Sequence, residues 1–162
     1  VFNLMSIKRI KPTQKSGFVQ GYFTPTNLAK YVGPQPIIYR SSWERKFMMW
    51  CDRNENVIMW SSEPIQIPYW SKLHNKQRNY FPDFYIKILK NDGSIGHMII
   101  EIKPEAQIKK PKPPTTNSQK ALKNYKFLAE QYVINRDKYI AAQQFANERG
   151  WKFAVMTEKS LK

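Results

Sequence analysis

The sequence predicts a single α/β domain in which a mixed β-sheet packs against helices. The chain has 162 residues, of which 41% are hydrophobic, enough for one globular core but short for two domains of ordinary size. Segments with alternating apolar residues stand between segments with helical spacing, and that order favours a sheet flanked by helices. We expect this domain to occupy residues 39–162, behind an irregular N-terminal arm over residues 1–38.

The arm is predicted from composition. Residues 1–38 are rich in Pro, Gly, Thr, Asn and basic residues and keep neither a strand nor a helix period. The whole chain carries 27 Lys and Arg against 12 Asp and Glu, a formal net charge of +15. A charge this large on a small protein indicates a polyanionic partner, and nucleic acid is the first candidate.

Other classes are disfavoured. No apolar run approaches the roughly 20 residues of a membrane-spanning helix, and no signal-peptide pattern opens the sequence, so we expect a soluble intracellular protein with no membrane partner. Cys51 is the single cysteine, and the two histidines, His74 and His97, are far apart in the chain. A thiol–imidazole zinc site is therefore disfavoured, and any metal is expected on oxygen ligands.

The first half of the domain begins with a helix. Trp43, Phe47, Trp50 and Cys51 have the spacing of one helix face, which predicts a helix over about residues 42–53. Residues 57–60 and 65–70 are short runs of β-branched and aromatic residues typical of strands. A basic loop is expected over residues 71–79.

The segment from Tyr80 to Pro104 predicts a β-hairpin. Its two runs alternate apolar and other residues and are joined by a three-residue turn with Gly93 in the left-handed conformation. In this register paired residue numbers sum to 184, so Asp83 lies opposite Glu101, and Lys103 projects on the same side. A two-residue turn makes the sum 185 and pairs apolar with polar residues.

The C-terminal third is expected to be mostly helical. Residues 104–118 contain four prolines and no period, which predicts a loop. Helices are expected over residues 119–131 and 135–149, with Asn135 as an N-cap and Gly150 as the stop. Residues 151–158 are predicted to form the last strand.

The chemistry of the hairpin follows from its register. Two opposed carboxylates repel, so Asp83 and Glu101 require a cation. Lys103 offers one, and Mg²⁺ suits the pair because it prefers oxygen ligands and keeps several waters. Such an ion activates water for attack on a phosphodiester, with Lys103 orienting that water or stabilising negative charge. The competing interpretation is an Asp–Glu–Lys cluster on a solvated hairpin face.

Pro82-Asp83 followed by Glu101-Ile102-Lys103 resembles the motif of the PD-(D/E)XK nuclease superfamily. Together with "YRSSWE" at residues 39–44, the segment from about Ile38 to Lys103 looks like the head-completion nucleases of tailed phages. The resemblance implies a restriction-endonuclease-like αβββαβ core and DNA cleavage that depends on Mg²⁺, for which Mn²⁺ can substitute. It also implies action in the host cytoplasm during phage assembly, with capsid or portal proteins as further partners and association with the virion as an option.

Matched to the motif, four residues are implied as catalytic: Glu44, Asp83, Glu101 and Lys103. Asp83 and Glu101 would be metal ligands with the Ile102 backbone carbonyl, and Glu44 would reach the metal directly or through water. Glu44 has a purely structural alternative, because Ser41-x-x-Glu44 is a capping box.

Basic residues outside the motif are candidates for contacting the phosphates of DNA. They are Arg40, Lys72, Lys76, Arg78, Lys109, Lys110, Lys112 and Lys138. Tyr69 and Trp70, beside the basic loop, are the aromatic candidates. Other functions stay open at this point. One is a non-enzymatic basic protein that binds DNA ends or plugs a capsid on a nuclease-like scaffold. Transposon-end endonucleases and junction resolvases share the superfamily motif and also stay open, and a junction resolvase would require a dimer.

Overall fold

The computed structural model describes residues 19–161. Its α-helices are Ser42–Arg53 (α1), Glu105–Ile108 (α2) and Gln119–Asn147 (α3). Its strands are Gly21–Phe23 (β1), Ile37–Tyr39 (β2), Val57–Ser62 (β3), Ile67–Ser71 (β4), Lys76–Tyr80 (β5), Phe84–Leu89 (β6), Ile95–Ile102 (β7) and Lys152–Met156 (β8).

The main sheet has four strands in the order β3-β6-β7-β8. β6 runs antiparallel to β3 and β7, whereas β8 runs parallel to β7. The helix α3 makes the crossover from β7 to β8, as a parallel connection requires. β4 and β5 form a separate hairpin, inserted in the sequence between β3 and β6. The elements α1, β3, β6, β7, α3 and β8 follow one another in the predicted αβββαβ order, which confirms the predicted core.

Helix α1 covers one face of this sheet and has the predicted bounds. Phe47, Met48 and Cys51 are buried and pack with Trp60 and Phe84 in the larger core cluster. The predicted apolar face is not buried throughout, because Trp50 stays 41% exposed.

The predicted hairpin register is confirmed along the whole β6–β7 ladder, from Phe84 opposite Ile100 to Leu89 opposite Ile95. At the turn, the Lys90 N–H donates to the Ser94 carbonyl at 2.8 Å, and Gly93 has a φ of 80°. A side chain at Gly93 would be strained in that left-handed conformation, so glycine is the natural occupant.

The second face of the sheet is also covered. Ile99 packs in a smaller core cluster with Ala142 and Ala146 of α3 and with Ile67 and Tyr80 of the β4–β5 hairpin. Glu101 shares the face of Ile99 and is only 3% exposed. The alternative of a solvated hairpin face is therefore wrong for Glu101.

Short elements precede α1. β1 pairs antiparallel with β2, and Tyr31 and Ile37 are buried in the larger core cluster. The carboxylate of buried Asp52 on α1 accepts hydrogen bonds from the backbone N–H groups of Thr26 (2.8 Å) and Asn27 (2.9 Å). The sequence analysis missed these elements, while the predicted course of residues 1–18 lies outside the described residues.

Three predicted segments need correction. The basic loop over residues 71–79 is largely strand β5, which pairs with β4 and supports Lys76 and Arg78 on ordered backbone. The loop over residues 104–118 contains the short helix α2. The two C-terminal helices are one continuous helix, α3, so Asn135 is a buried mid-helix residue rather than an N-cap. Within residues 19–161, no helix combines the length and the apolar character needed to cross a bilayer.

Candidate active site

Asp83 stands at the start of β6, where its backbone and side chain are both tied down. Its carbonyl accepts a hydrogen bond from the Glu63 N–H at 2.9 Å. Its Oδ2 accepts one from the Ile102 N–H at 2.7 Å, while Oδ1 accepts none among the described residues. The buried Pro82 precedes it and limits the backbone conformations of this junction. Asp83 is thus held against the end of β7 with one carboxylate oxygen available.

Glu101 lies near the end of β7 and is fixed from two sides. Its Oε1 forms an ion pair with Lys103 Nζ at 2.9 Å, and its Oε2 accepts a hydrogen bond from the Tyr80 hydroxyl at 2.7 Å. Lys103 follows the strand, and its N–H donates to the Met156 carbonyl on β8 at 2.9 Å. Alternate residues of a strand share a face, so Glu101 and Lys103 meet as predicted.

The electrostatics of these groups are coupled. Burial raises the pKa of Asp83 well above its usual range, and the Glu101 and Glu44 carboxylates raise it further. Burial alone would lower the pKa of Lys103, but Glu101 and Asp83 outweigh it, and the pKa is raised. Lys103 therefore stays protonated at neutral pH, beside carboxylates that repel each other.

Glu44 reaches this region from the first turn of α1. Its Oε2 accepts a hydrogen bond from the Arg40 N–H at 2.7 Å, and its Oε1 accepts one from the Ser41 hydroxyl at 3.0 Å. Ser41 Oγ in turn accepts from the Glu44 N–H at 3.1 Å, so the residue does cap the helix. Burial raises the pKa of Glu44, although the bonds to Arg40 and Ser41 oppose that shift.

Helix α3 adds two residues to the site. Lys138 Nζ lies 5.5 Å from the centroid of the Tyr80 ring. Burial lowers the pKa of Lys138, and the neighbouring Glu101 carboxylate opposes this. Burial raises the pKa of Tyr139, as does Glu101, and the Tyr139 hydroxyl is a buried group with no hydrogen-bond partner in the described part of the chain.

Sequence reasoning missed Tyr80 and Tyr139 as site residues. Tyr80 lies three residues before Asp83 on an adjoining strand, and that proximity was the available signal. Tyr139 shares a helix face with Asn135, but which face of α3 meets the sheet depends on packing that the polar pattern does not specify.

The other basic residues predicted to contact DNA differ in their contacts and in their exposure to solvent. Arg40 forms an ion pair with Glu63 at 2.9 Å, beside Glu44. Lys72, in the β4–β5 turn, donates its backbone N–H to Asp137 of α3 at 2.8 Å. Lys76 and Arg78 are exposed on β5. Of the aromatic candidates, Trp70 is 57% exposed, whereas Tyr69 at 5% belongs to the core.

The linker lysines are brought to the same side of the molecule. Lys109, Lys110 and Lys112 line one cavity together with Lys103 and Lys138. Lys109 is also paired with Glu105 at 2.8 Å. The structure therefore places four of the predicted DNA-contacting residues, Lys109, Lys110, Lys112 and Lys138, in one cavity with Lys103.

Comparison with known proteins identifies the family. Residues 54–158 match the sequence profile of the TnsA-like endonuclease N-terminal domain, which spans everything from β3 to β8. The chain belongs to the TnsA-like endonuclease family. The head completion nuclease of Enterobacteria phage T4 is 38% identical over 143 residues, covering 88% of this chain and 93% of that protein.

Family membership supports a nuclease and assigns the αβββαβ core of this TnsA-like domain to the restriction-endonuclease-like fold. The profile match contains Asp83, Glu101 and Lys103, but it begins after α1 and so leaves out Glu44. The match assigns no role to any of these residues, so the site stays a prediction from the motif and from the contacts described above.

The carboxylate oxygens of Asp83 and Glu101 are the candidate ligands for a divalent ion. Asp83 and Glu101 present hard carboxylate oxygens, and Asp83 Oδ1 accepts no hydrogen bond among the described residues. A cation would relieve the repulsion between the two carboxylates. Among residues 19–161, no group of three or more His, Cys, Asp or Glu side chains has the arrangement of a metal centre. Two carboxylates can hold a divalent ion that completes its coordination shell with water.

Proposed function

We propose that this protein is a Mg²⁺-dependent DNA endonuclease that acts in phage head completion. The observation that carries the proposal is the Glu101–Lys103 ion pair of 2.9 Å beside Asp83, at the ends of two adjacent strands. Membership in an endonuclease family supports the reaction class, and the name of the T4 relative supports the biological role. That role would place the protein in the host cytoplasm during assembly, with capsid or portal proteins as partners.

In the proposed mechanism, Asp83, Glu101 and the Ile102 carbonyl would hold Mg²⁺, and Glu44 would reach the ion directly or through water. When bound, the ion polarises the phosphodiester and makes a water molecule more acidic. The Tyr80 hydroxyl keeps Glu101 Oε2 oriented. The Lys103 ammonium stabilises negative charge that develops on the phosphate.

The substrate is held by sequence-independent contacts. The formal charge of +15 favours the DNA backbone over most other partners, and phosphate contacts position a protein without reading bases. Arg40 is close enough to Glu44 to influence its ionisation, which suits a contact with the scissile phosphate. Lys72, Lys76 and Arg78 would contact the duplex from the β4–β5 hairpin.

The test is relaxation of supercoiled plasmid in Mg²⁺ and in EDTA. We expect cleavage by the wild type in Mg²⁺, in Mn²⁺ as a substitute, and none in EDTA. Lys103→Gln should lower the rate about 100-fold, because one group that stabilises transition-state charge is removed. Lys90→Gln, at the opposite end of the β6–β7 hairpin, is the matched control and should cleave normally.

Two results would reject the proposal: cleavage that survives EDTA, or Lys103→Gln cleaving like the wild type. Absence of cleavage by the wild type under all conditions would favour the non-enzymatic alternative, in which the basic protein binds DNA ends during assembly.

A further inference from the structure

A cleft of about 590 Å³ lies between α3 and residues 103–114. Lys103 and Lys138, which belong to the candidate active site, line part of it. The cleft extends from them along α3 to Asn124 and Phe127. It therefore connects the proposed cleavage centre with a surface that the catalytic motif does not use.

The charge of the cleft is positive and largely uncompensated. Five lysines and no Asp or Glu line it. Two of the five are paired, Lys103 with Glu101 and Lys109 with Glu105. Lys110 and Lys112 form no ion pair with any residue of the described chain. Unpaired lysines on both sides of a groove suit a ligand that carries several phosphates.

The same walls also carry groups that suit bases. Tyr125 and Phe127 line the cleft, and Phe127 is 56% exposed although it is a large apolar side chain. Asn124 and Gln131 also line the cleft and carry side-chain amides that can hydrogen-bond to bases. Exposed aromatic rings beside phosphate-binding lysines are the combination by which proteins stack and hold unpaired bases.

The size of the cleft distinguishes a single strand from a duplex. A volume of about 590 Å³ is in the range of sites that enclose small molecules, so it holds a nucleotide or two. A double helix is larger than this cleft, because its major groove alone is about 12 Å wide. It cannot enter the cleft with its bases paired. Stacking on Phe127 also requires a base whose face is free.

We propose that this cleft binds an unpaired DNA strand, so that the nuclease prefers DNA with a single-stranded end or gap to fully paired DNA, which it still cuts. The strand would lie along α3, with phosphates on Lys110 and Lys112, a base on Phe127, and its continuation at Lys103. This inference rests on the proposed function for its choice of DNA, but the binding it describes needs no cleavage.

The experiment measures binding in EDTA, where the proposed metal-dependent cleavage is off. A fluorescently labelled 12-nucleotide single strand and a blunt duplex of equal length are titrated with the full chain over a range of salt concentrations. The variants are Phe127→Ala and the pair Lys110→Gln/Lys112→Gln. The charge-matched control is Lys90→Gln/Lys152→Gln, at the far end of the sheet from the site.

We expect Phe127→Ala to weaken single-strand binding about tenfold with its salt dependence unchanged, because stacking is lost and no phosphate contact is. The Lys110→Gln/Lys112→Gln pair should weaken single-strand binding and reduce the slope of log K against log salt by about 1.4, since two phosphate contacts are removed. The duplex should respond to neither change by more than the control does.

The inference is overturned if Phe127→Ala binds the single strand like the wild type, or if it weakens single strand and duplex equally. It is also overturned if the Lys110/Lys112 pair changes the salt slope no more than the control pair. Plasmid cleavage in Mg²⁺ and single-strand binding in EDTA are separate measurements. Loss of the first would reject the nuclease assignment, and the binding results above would reject the single-strand site.

Discussion

At the scale of single residues, Asp83 is the position where burial and like charge act in the same direction. Both raise its pKa, and the Lys103 ammonium and the hydrogen bond from the Ile102 N–H only partly oppose them. The ionised form therefore costs folding free energy in the metal-free protein. A functional residue that destabilises its own fold is a common trade-off at active sites.

We predict that Asp83→Asn stabilises the metal-free protein at pH 7 by about 1 kcal/mol, within the usual range for relief of active-site strain. The folded pKa is raised, so the cost of ionisation grows as pH rises above the unfolded pKa of about 3.9 and is absent below it. The gain should therefore disappear near pH 4. Urea unfolding in EDTA at both pH values measures it.

A control and a contradicting outcome accompany this measurement. Asp92→Asn, in the exposed β6–β7 turn, removes an equal charge far from the site and should give no such gain at pH 7. If Asp83→Asn destabilises the protein at pH 7, the Asp83 carboxylate is stabilised by its surroundings and the proposed charge repulsion is wrong.

Much of the site at this scale was predictable. The alternation of residues 84–88 and 98–102, with the length of the turn, fixed the register that puts Asp83 beside Glu101. Tyr80 and Tyr139 were missed because they arrive from β5 and α3, whose packing on the sheet is a tertiary property. Register is a local consequence of sequence, whereas the arrangement of neighbouring elements is not.

At the scale of elements, the start of α1 combines a structural and a proposed functional role. Ser41 and Glu44 hydrogen-bond reciprocally, which satisfies donors at the helix N-terminus. The same Glu44 carboxylate contributes to the raised pKa of Asp83. Substitutions that affect the cap and the charge separately can distinguish these roles.

We predict that Ser41→Ala lowers the free energy of unfolding by about 1 kcal/mol, because a helix cap is lost, and leaves the cleavage rate of the folded protein unchanged. Glu44→Gln should keep most of the cap and lower cleavage about 10- to 100-fold, as expected for a residue that acts on a metal through water. Denaturant unfolding and plasmid nicking on the same preparations measure both effects.

The opposite pattern would contradict this assignment. If Glu44→Gln loses stability but cleaves at the wild-type rate per folded molecule, Glu44 is only a capping residue. Cleavage loss in Ser41→Ala alone would indicate that the hydroxyl, rather than the carboxylate, serves the site.

The elements also show where sequence patterns are insufficient. α1 was predicted to its ends because a cap and a helical apolar spacing coincide. β5 was missed because "KQRNY" is polar and exposed at four of its five residues, so its strand character comes from pairing with β4. The sequence analysis divided the continuous helix α3 because Asn135 resembles an N-cap residue, whereas in the structure Asn135 is buried in mid-helix.

At the scale of the whole molecule, a strongly basic protein surrounds a small acidic centre. The net charge of +15 attracts DNA, whereas Asp83, Glu101 and Glu44 form a local site that repels phosphate until a cation neutralises it. Binding and cleavage should therefore depend on different residues. On the proposed function, DNA affinity would come from the distributed lysines and arginines, and reactivity would come from the centre.

The most direct measurement of this separation compares Asp83→Asn with the wild type in two assays on the same DNA. The substitution should lower plasmid cleavage in Mg²⁺ at least about a thousandfold, because a proposed ligand of the ion is impaired. DNA affinity in EDTA should be unchanged or slightly higher, since one negative charge is removed. If Asp83→Asn cleaves at the wild-type rate, the centre formed by Asp83, Glu101 and Lys103 is not the active site.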